Sequence, residues 1–294
     1  MSAKEEAILL IRSSLSGIAH IEPFGSFITG TDTNSDDVDL AVIFKEASDW
    51  KRDEKGRVVL SVAKKRMNRI ISLLPRSRVS VKLWLPHSKT PILKIECYTR
   101  SGSIVAMDLV LHDAHGVLMS WVIRDLLLQS PLLSIPLIKK VKQWAKERDL
   151  IGASFGNLSS YAFTLCVIRF LQEEGRLGFI QFNQQSEPVF DPKDILKIVA
   201  SHTKVWALSE PSTCTKFRSV EECFEDFIKR FKNDMDEDMQ TVWDVANPDT
   251  DRRVCSSCLK NAYLLIIDPI SRKNIATVLT KTRYNALFQS LYLG

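Results

Sequence analysis

The chain has 294 residues, 45% hydrophobic and 26% charged, with a net charge of +5; this is the composition of one large or two ordinary globular domains with ample core. No run of about 18 apolar residues occurs, so no membrane-spanning helix is expected. Cysteines are few, six in all, and the opening Met1-Ser2-Ala3-Lys4-Glu5-Glu6 resembles neither a secretory signal nor an Arg-rich transit peptide, so a reducing, intracellular setting, the cytoplasm first, is expected.

In chain order, Ile8, Leu9, Ile11, Leu15 and Ile18 recur near helical spacing, which predicts an amphipathic helix over 3–19, followed by a short strand at 20–24. Gly25-Ser26 then opens a turn into helix. A glycine there lets backbone N–H groups approach an anion, and the serine adds a hydroxyl. Asp37 to Phe44 reads as a strand. Because side chains alternate, Val38, Leu40, Val42 and Phe44 share an apolar face, and Asp37 and Asp39 share the other. Adjacent carboxylates repel unless a cation sits with them, and an oxygen-only ligand pair suits Mg²⁺. An isolated Asp-x-Asp is usually an ordinary polar strand edge; the coupling to Phe24-Gly25-Ser26 is what favours function here.

Residues 45–57 read as a charged loop, 58–74 as a helix closed by Pro75, and 78–85 and 91–98 as strands. The strand at 104–112 turns Val105, Met107, Leu109 and Leu111 one way and Ala106, Asp108, Val110 and His112 the other. A mid-strand carboxylate between apolar neighbours is costly unless paired or metal-bound, which makes Asp108 the third candidate acid, preferred over Asp113. From about 117 the pattern is helical. Ser130-Pro131 and Ile135-Pro136 read as punctuation at a domain boundary, dividing the chain into 1–130 and 131–294. The helix at 136–148 buries Ile138, Val141 and Trp144; Lys142 and Lys146, one turn apart, share a face that is either a solvated basic surface or a place to hold a triphosphate.

Ser159 or Ser160 caps a helix through Leu171 that is apolar almost all round and therefore central, with Tyr161 in its first turn as core or as an aromatic face for a base. Residues 173–191 read as a polar loop, 193–200 and 219–232 as helices, 233–254 as irregular, 262–268 as a strand ending in Asp268-Pro269, and 277–292 as the last helix. Cys255 and Cys258 form a lone Cys-x-x-Cys whose spacing to Cys214 and Cys223 is unusual for zinc, so no zinc site is expected.

Taken together, Phe24-Gly25-Ser26, Asp37-Val38-Asp39, Pro91-Ile92-Leu93-Lys94, Met107-Asp108-Leu109, Val141-Lys142 with Trp144 and Lys146, Ser159-Ser160-Tyr161-Ala162 and Asp268-Pro269 resemble, in order, the DNA polymerase β-like nucleotidyltransferase superfamily. The nearest branch is that of the noncanonical poly(A) polymerases and terminal uridylyltransferases (TUTases). The resemblance implies an α+β fold: a mixed-sheet catalytic domain, then a mostly helical poly(A) polymerase-associated domain with a base-recognition segment near 262–285, and a nucleotide cleft between them. It implies template-independent addition of AMP or UMP from ATP or UTP to an RNA 3′ end, with two Mg²⁺ ions (or Mn²⁺ in their place) ~3.5–4 Å apart.

By position, Asp37, Asp39 and Asp108 would hold the metals, Gly25 and Ser26 the phosphates, and Lys142 and Lys146 the triphosphate. Ser160 would hydrogen-bond the nucleotide and Tyr161 stack on its base, a contact that tolerates any base. Base choice would fall to the segment at Asp268. There Ser271 stands where uridylyl members usually carry an acid, and Asn274, as in some adenylyl members, could read adenine or uracil by flipping its amide, a tilt toward ATP. Met119-Ser120 stands where many relatives have Asn-Ser or Asn-Thr at the ribose, leaving Ser120 as a partial substitute. The long RNA-binding segments of some relatives are absent, which implies a protein partner for RNA choice. The alternatives are an inactive RNA-binding or scaffold subunit of the same fold and an oligoadenylate synthetase-like enzyme.

Overall fold

The structure is a computed structural model that describes residues 1–33, 37–45, 59–86, 90–111, 113–182, 192–212, 218–235, 239–247, 253–255 and 263–291. Helix α1 (Ala3–Leu15) begins at a capping box, in which Ser2 Oγ accepts from the Glu5 N–H at 3.2 Å and Glu5 returns its carboxylate to the Ser2 N–H at 2.7 Å. It buries Ala7, Ile8, Ile11 and Leu15. Strand β1 (Ala19–Phe24) then leads into a single helical turn, α2 (Ser26–Thr29), and β2 (Val38–Phe44). Helix α3 (Leu60–Leu73) precedes β3 (Val79–Leu85), β4 (Ile92–Tyr98) and β5 (Ile104–Leu111).

The five strands form one sheet in the order β1-β2-β5-β4-β3, with β2 and β5 parallel and the other neighbours antiparallel. The alternation read from the sequence holds: Val38, Leu40, Val42 and Phe44 are all buried. They pack with Met107, Leu109, Leu93 and Ile95 against Ile8, Ile11, Met67 and Ile70 of α1 and α3. Burying one apolar face this way fixes the register, since a slip by one residue would turn the whole set outward.

Helix α4 (Ala114–Leu127) starts three residues earlier than its pattern suggests, and α5 runs over Pro131–Glu147. The two prolines are therefore not breaks. Pro131 occupies the first helical position, where its missing N–H costs nothing, and Pro136 sits inside the helix. Helix α6 (Ser160–Glu173) is capped by Ser159, whose side chain accepts from the Ala162 N–H, and is buried on nearly every side from Ala162 to Gln172.

Next come β6 (Ile180–Phe182), α7 (Pro192–Ser201), β7 (Trp206–Leu208), α8 (Val220–Asp234), β8 (Met239–Asp244), β9 (Arg253–Cys255), β10 (Leu265–Ile267) and α9 (Lys281–Ser290). β6 pairs with β7, and β10-β8-β9 form a small sheet. These pairings correct the reading of 173–191 as loop throughout and of 233–254 as irregular; β6 and β9 have three residues each, too few for alternation to show, and the six residues of β8, Met-Gln-Thr-Val-Trp-Asp, do not alternate apolar with polar.

Contacts divide the chain into two compact units, Met1–Trp121 with Asp191–Lys204, and Val122–Phe190 with Val205–Gly294. The second unit has an aromatic core in which Phe163 meets Trp144 edge-on, Phe227 stacks on Phe231, and Phe231 leans on Trp243. Cys223 is buried within it. His112, Cys214, Cys258, the Cys255 side chain and the loop from 46 to 58 lie outside the described residues.

Candidate active site

Strand pairing alone assembles the acidic site. β2 and β5 lie parallel with Asp39 opposite Asp108, and β4 lies antiparallel to β5 with Lys94 opposite Asp108. On the far side, Phe24 of β1 is opposite Asp39. Phe24, Asp39, Asp108 and Lys94 thus form one row across four strands, and residues in such a row project from the same face of the sheet. Asp37, just before β2, joins them: Lys94 Nζ lies 2.6 Å from Asp108 Oδ2 and 3.7 Å from Asp37 Oδ2. The structure therefore brings the three predicted acids to one place, together with a lysine that the sequence reading left out of the site. The signal for Lys94 is the one that singled out Asp108, a charge in mid-strand between Leu93 and Ile95, both buried.

The site carries more negative charge than one ammonium can balance. Asp39 is pushed up to about 7 from 3.8 by burial first, then by the charges of Asp108 and Asp37. Burial also raises Asp108, against the opposing pull of Lys94. Burial would lower Lys94, but its hydrogen bond to Asp108 and the three nearby carboxylates outweigh that and raise it. A half-buried cluster of carboxylates, short of positive charge and offering only oxygen, is the donor set a hard divalent cation takes. Among the described residues, no three such groups stand close enough together to hold a metal as they are.

The Gly25 turn is built against this row. Gly25 has φ +71°, and a Cβ placed on it would lie 2.6 Å from Asp39 Oδ2, so only glycine lets the turn lie against the carboxylate. Its N–H donates to Ser120 Oγ at 2.7 Å, and Ser120 Oγ donates to the Gly116 carbonyl at 2.7 Å. Ser120 is 4% exposed. Its hydroxyl ties the turn to α4, a task different from the ribose contact that the resemblance implies. Ser26 starts the single turn of α2. Asp113 accepts from the Gly116 N–H at 3.0 Å and adds its charge near Asp39.

In the second unit, Tyr161 Oη donates to Asp268 Oδ2 at 2.8 Å across 107 residues of sequence. Asp268 is buried, and its other oxygen accepts from the Ile270 N–H at 3.1 Å and the Ser271 N–H at 2.6 Å. Asn274 caps the 3₁₀ turn Ile275–Val278. Its Oδ1 accepts from the Ile266 and Ala276 N–H groups, each at 3.0 Å, and its Nδ2 donates to the Leu264 carbonyl at 2.8 Å. The amide is thus engaged with backbone in one orientation, which corrects the expectation that it flips to suit a base. Lys142, half-buried, and Lys146, exposed, lie one turn apart on α5, and Ser160 is the first residue of α6.

The chain is similar in sequence and in fold to known proteins. The family profile described as "Poly(A) RNA polymerase, mitochondrial-like, central palm domain" matches residues 5–125. Poly(A) RNA polymerase GLD2 of Bos taurus is 28% identical over 152 residues, 50% of this chain and 29% of that protein. Protein HESO1 of Arabidopsis thaliana is 26% identical over 166 residues, 51% of this chain and 28% of the relative. The matched stretch is under a third of either relative's own length.

Among solved structures, terminal uridylyl transferase 4 from Trypanosoma brucei with bound UTP and UpU superposes with a TM-score of 0.68 at 18% identity, covering 99% of this chain and 92% of that one. Cid1 poly(U) polymerase with MgGTP gives 0.67 at 18%, covering 99% and 86%. At such identity the likeness is one of fold. The chain thus shares the fold of these transferases, and its residues 5–125 resemble the poly(A) RNA polymerase palm domain.

Proposed function

We propose that the chain is a template-independent RNA 3′-terminal nucleotidyltransferase that adds AMP or UMP from the triphosphate. The observation that carries this reading is the register of Asp39 against Asp108, which sets two carboxylates side by side on one sheet face with Asp37 next to them. Asp37, Asp39 and Asp108 would hold the divalent ions, Mg²⁺ with Mn²⁺ as a substitute. When bound, these ions supply a lowered hydroxyl pKa and charge neutralisation at the leaving pyrophosphate.

The chain's own residues do the rest. The Gly25 turn and Ser26 receive phosphate oxygens. Lys142 and Lys146 hold the triphosphate as point charges, Ser160 hydrogen-bonds the nucleotide, and Tyr161 offers a ring for the base. Lys94 keeps the acids together by offsetting their repulsion.

The test is to incubate the purified chain with a short RNA, Mg²⁺ and each of the four ribonucleoside triphosphates separately. Extension with ATP or UTP is expected, and Asp37→Ala with Asp39→Ala should abolish it. Tight RNA binding with no incorporation would replace this reading with that of an inactive subunit, and preference for an acceptor other than RNA would point to a different transferase.

A further inference from the structure

We propose that Asp268 is a positioning residue: it orients the ring of Tyr161 and does not read the base. The inference rests on the reading above in one respect, that Tyr161 is the aromatic face for the base.

A carboxylate offers about four acceptor sites. Three of those on Asp268 are filled, by the Tyr161 hydroxyl and by the Ile270 and Ser271 N–H groups, and the residue is 2% exposed. Its backbone is held as well: the Asp268 N–H donates to the Lys273 carbonyl and the Asp268 carbonyl accepts from the Arg272 N–H, each at 2.9 Å. The loop that follows is fixed at its far end by Asn274, with both lone pairs of Oδ1 and one N–H of Nδ2 engaged by backbone. Arg272, with φ +54°, clamps the loop from outside by a two-point ion pair to the buried Asp244 at 2.9 and 2.5 Å.

Asp268, 2% exposed with three of its acceptor sites filled, and Asn274, bonded through both ends of its amide, are therefore bound into the frame. What that frame delivers is a fixed phenol. A ring with its hydroxyl tied to a rigid loop keeps one plane and one height, and a base stacks on it without further loss of ring freedom. Asp268 then contributes equally to every nucleotide, whereas a base-reading residue contributes unequally.

The experiment measures binding of ATP and of UTP without RNA, and KM and kcat for each with RNA, in the wild type, Tyr161→Phe, Asp268→Asn and the double variant. Tyr161→Phe keeps the ring and the turn and guards against loss of fold. The expected result is that each single variant weakens ATP and UTP binding by the same factor, about five- to tenfold for one hydrogen bond to a charged group, with kcat little changed. The double variant should be no weaker than the weaker single one. A change of more than about fivefold in the ATP-to-UTP ratio in Asp268→Asn that is absent from Tyr161→Phe would overturn the proposal, as would factors that multiply in the double variant. A chain that binds nucleotide but extends no RNA fails the transferase reading while the binding ratios still decide the role of Asp268. A chain that binds neither nucleotide overturns both.

Discussion

Lys94 and Asp108 face each other across β4 and β5, with the ammonium 2.6 Å from the carboxylate and reaching toward Asp37 at 3.7 Å. The lysine stands among acids that are otherwise candidates for a divalent cation, so it both steadies the metal-free site and competes with the metal. Lys94→Met should lower the stability of the metal-free protein by about 1–2 kcal/mol, the lower end reflecting solvent screening at a side chain that is 36% exposed. The same variant should bind Mn²⁺ more tightly in an electron paramagnetic resonance titration. Weaker Mn²⁺ binding would mean that Lys94 orients the acids more than it competes.

Asp39 sets a pH dependence. Its folded-state pKa is raised to about 7 from 3.8, so the folded, metal-free chain holds a proton that the unfolded chain gives up. That contribution to stability is fully present below about 4 and is lost as pH rises toward and through about 7. Melting temperature in a chelator should fall across this window. The gain on adding Mg²⁺ should be larger at pH 8 than at pH 5.5, because the cation favours the ionised acid. An equal gain at both values would show that Asp39 is already ionised at the lower one.

Gly25 admits no side chain. In Gly25→Ala the new Cβ meets Asp39 Oδ2 at 2.6 Å in a backbone with φ +71°, so both the turn and the carboxylate must move. The strain should cost about 1–3 kcal/mol, and Mn²⁺ affinity should fall with it. Loss of stability with Mn²⁺ affinity intact would mean that the turn gives way and the acid stays.

Ser120 carries a different expectation. Its hydroxyl accepts from the Gly25 N–H and donates to the Gly116 carbonyl, so Ser120→Ala removes the tie between the turn and α4. The expected cost is about 1–3 kcal/mol in thermal or urea unfolding. Discrimination between ribo- and deoxyribonucleoside triphosphates should be unaltered. A selective gain in deoxynucleotide use would return Ser120 to the sugar contact suggested by sequence resemblance.

Much of the first unit was legible because its strands are long enough to alternate. The run from Val38 to Phe44 buries one set of side chains and turns Asp39 the other way, and the rule of a costly mid-strand charge finds Asp108. The same rule applies to Lys94, but its place beside Asp108 depends on β4 lying next to β5, and strand order across a sheet is not written in local pattern. In the second unit, β6, β7, β9 and β10 have three residues each, too few for a period to register. Pro136 misleads because a long helix with a buried face outweighs one lost hydrogen bond. The duties of Ser120 and Asn274 are local backbone bonds set by loop geometry, and the residue type alone does not distinguish them from ligand contacts.

The clamp on the Asp268 loop gives the last expectation. Asp244 is 1% exposed and its charge is met by Arg272, with a further hydrogen bond from the Ala246 N–H at 3.0 Å. Removing only the cation leaves a buried carboxylate uncompensated, so Arg272→Ala should destabilise the protein by about 3–5 kcal/mol. Removing the charge as well, in Asp244→Asn with Arg272→Ala, should recover a substantial part of that loss, because an amide is far cheaper to bury than an unpaired anion. Hydrogen exchange at the amides of Ile270, Ser271 and Arg272 separates local from global effects. If the clamp holds the loop, these amides exchange faster in Arg272→Ala while those in the buried centre of α6 keep their protection. If all rise together, the ion pair supports the whole unit and the loop is only its visible edge.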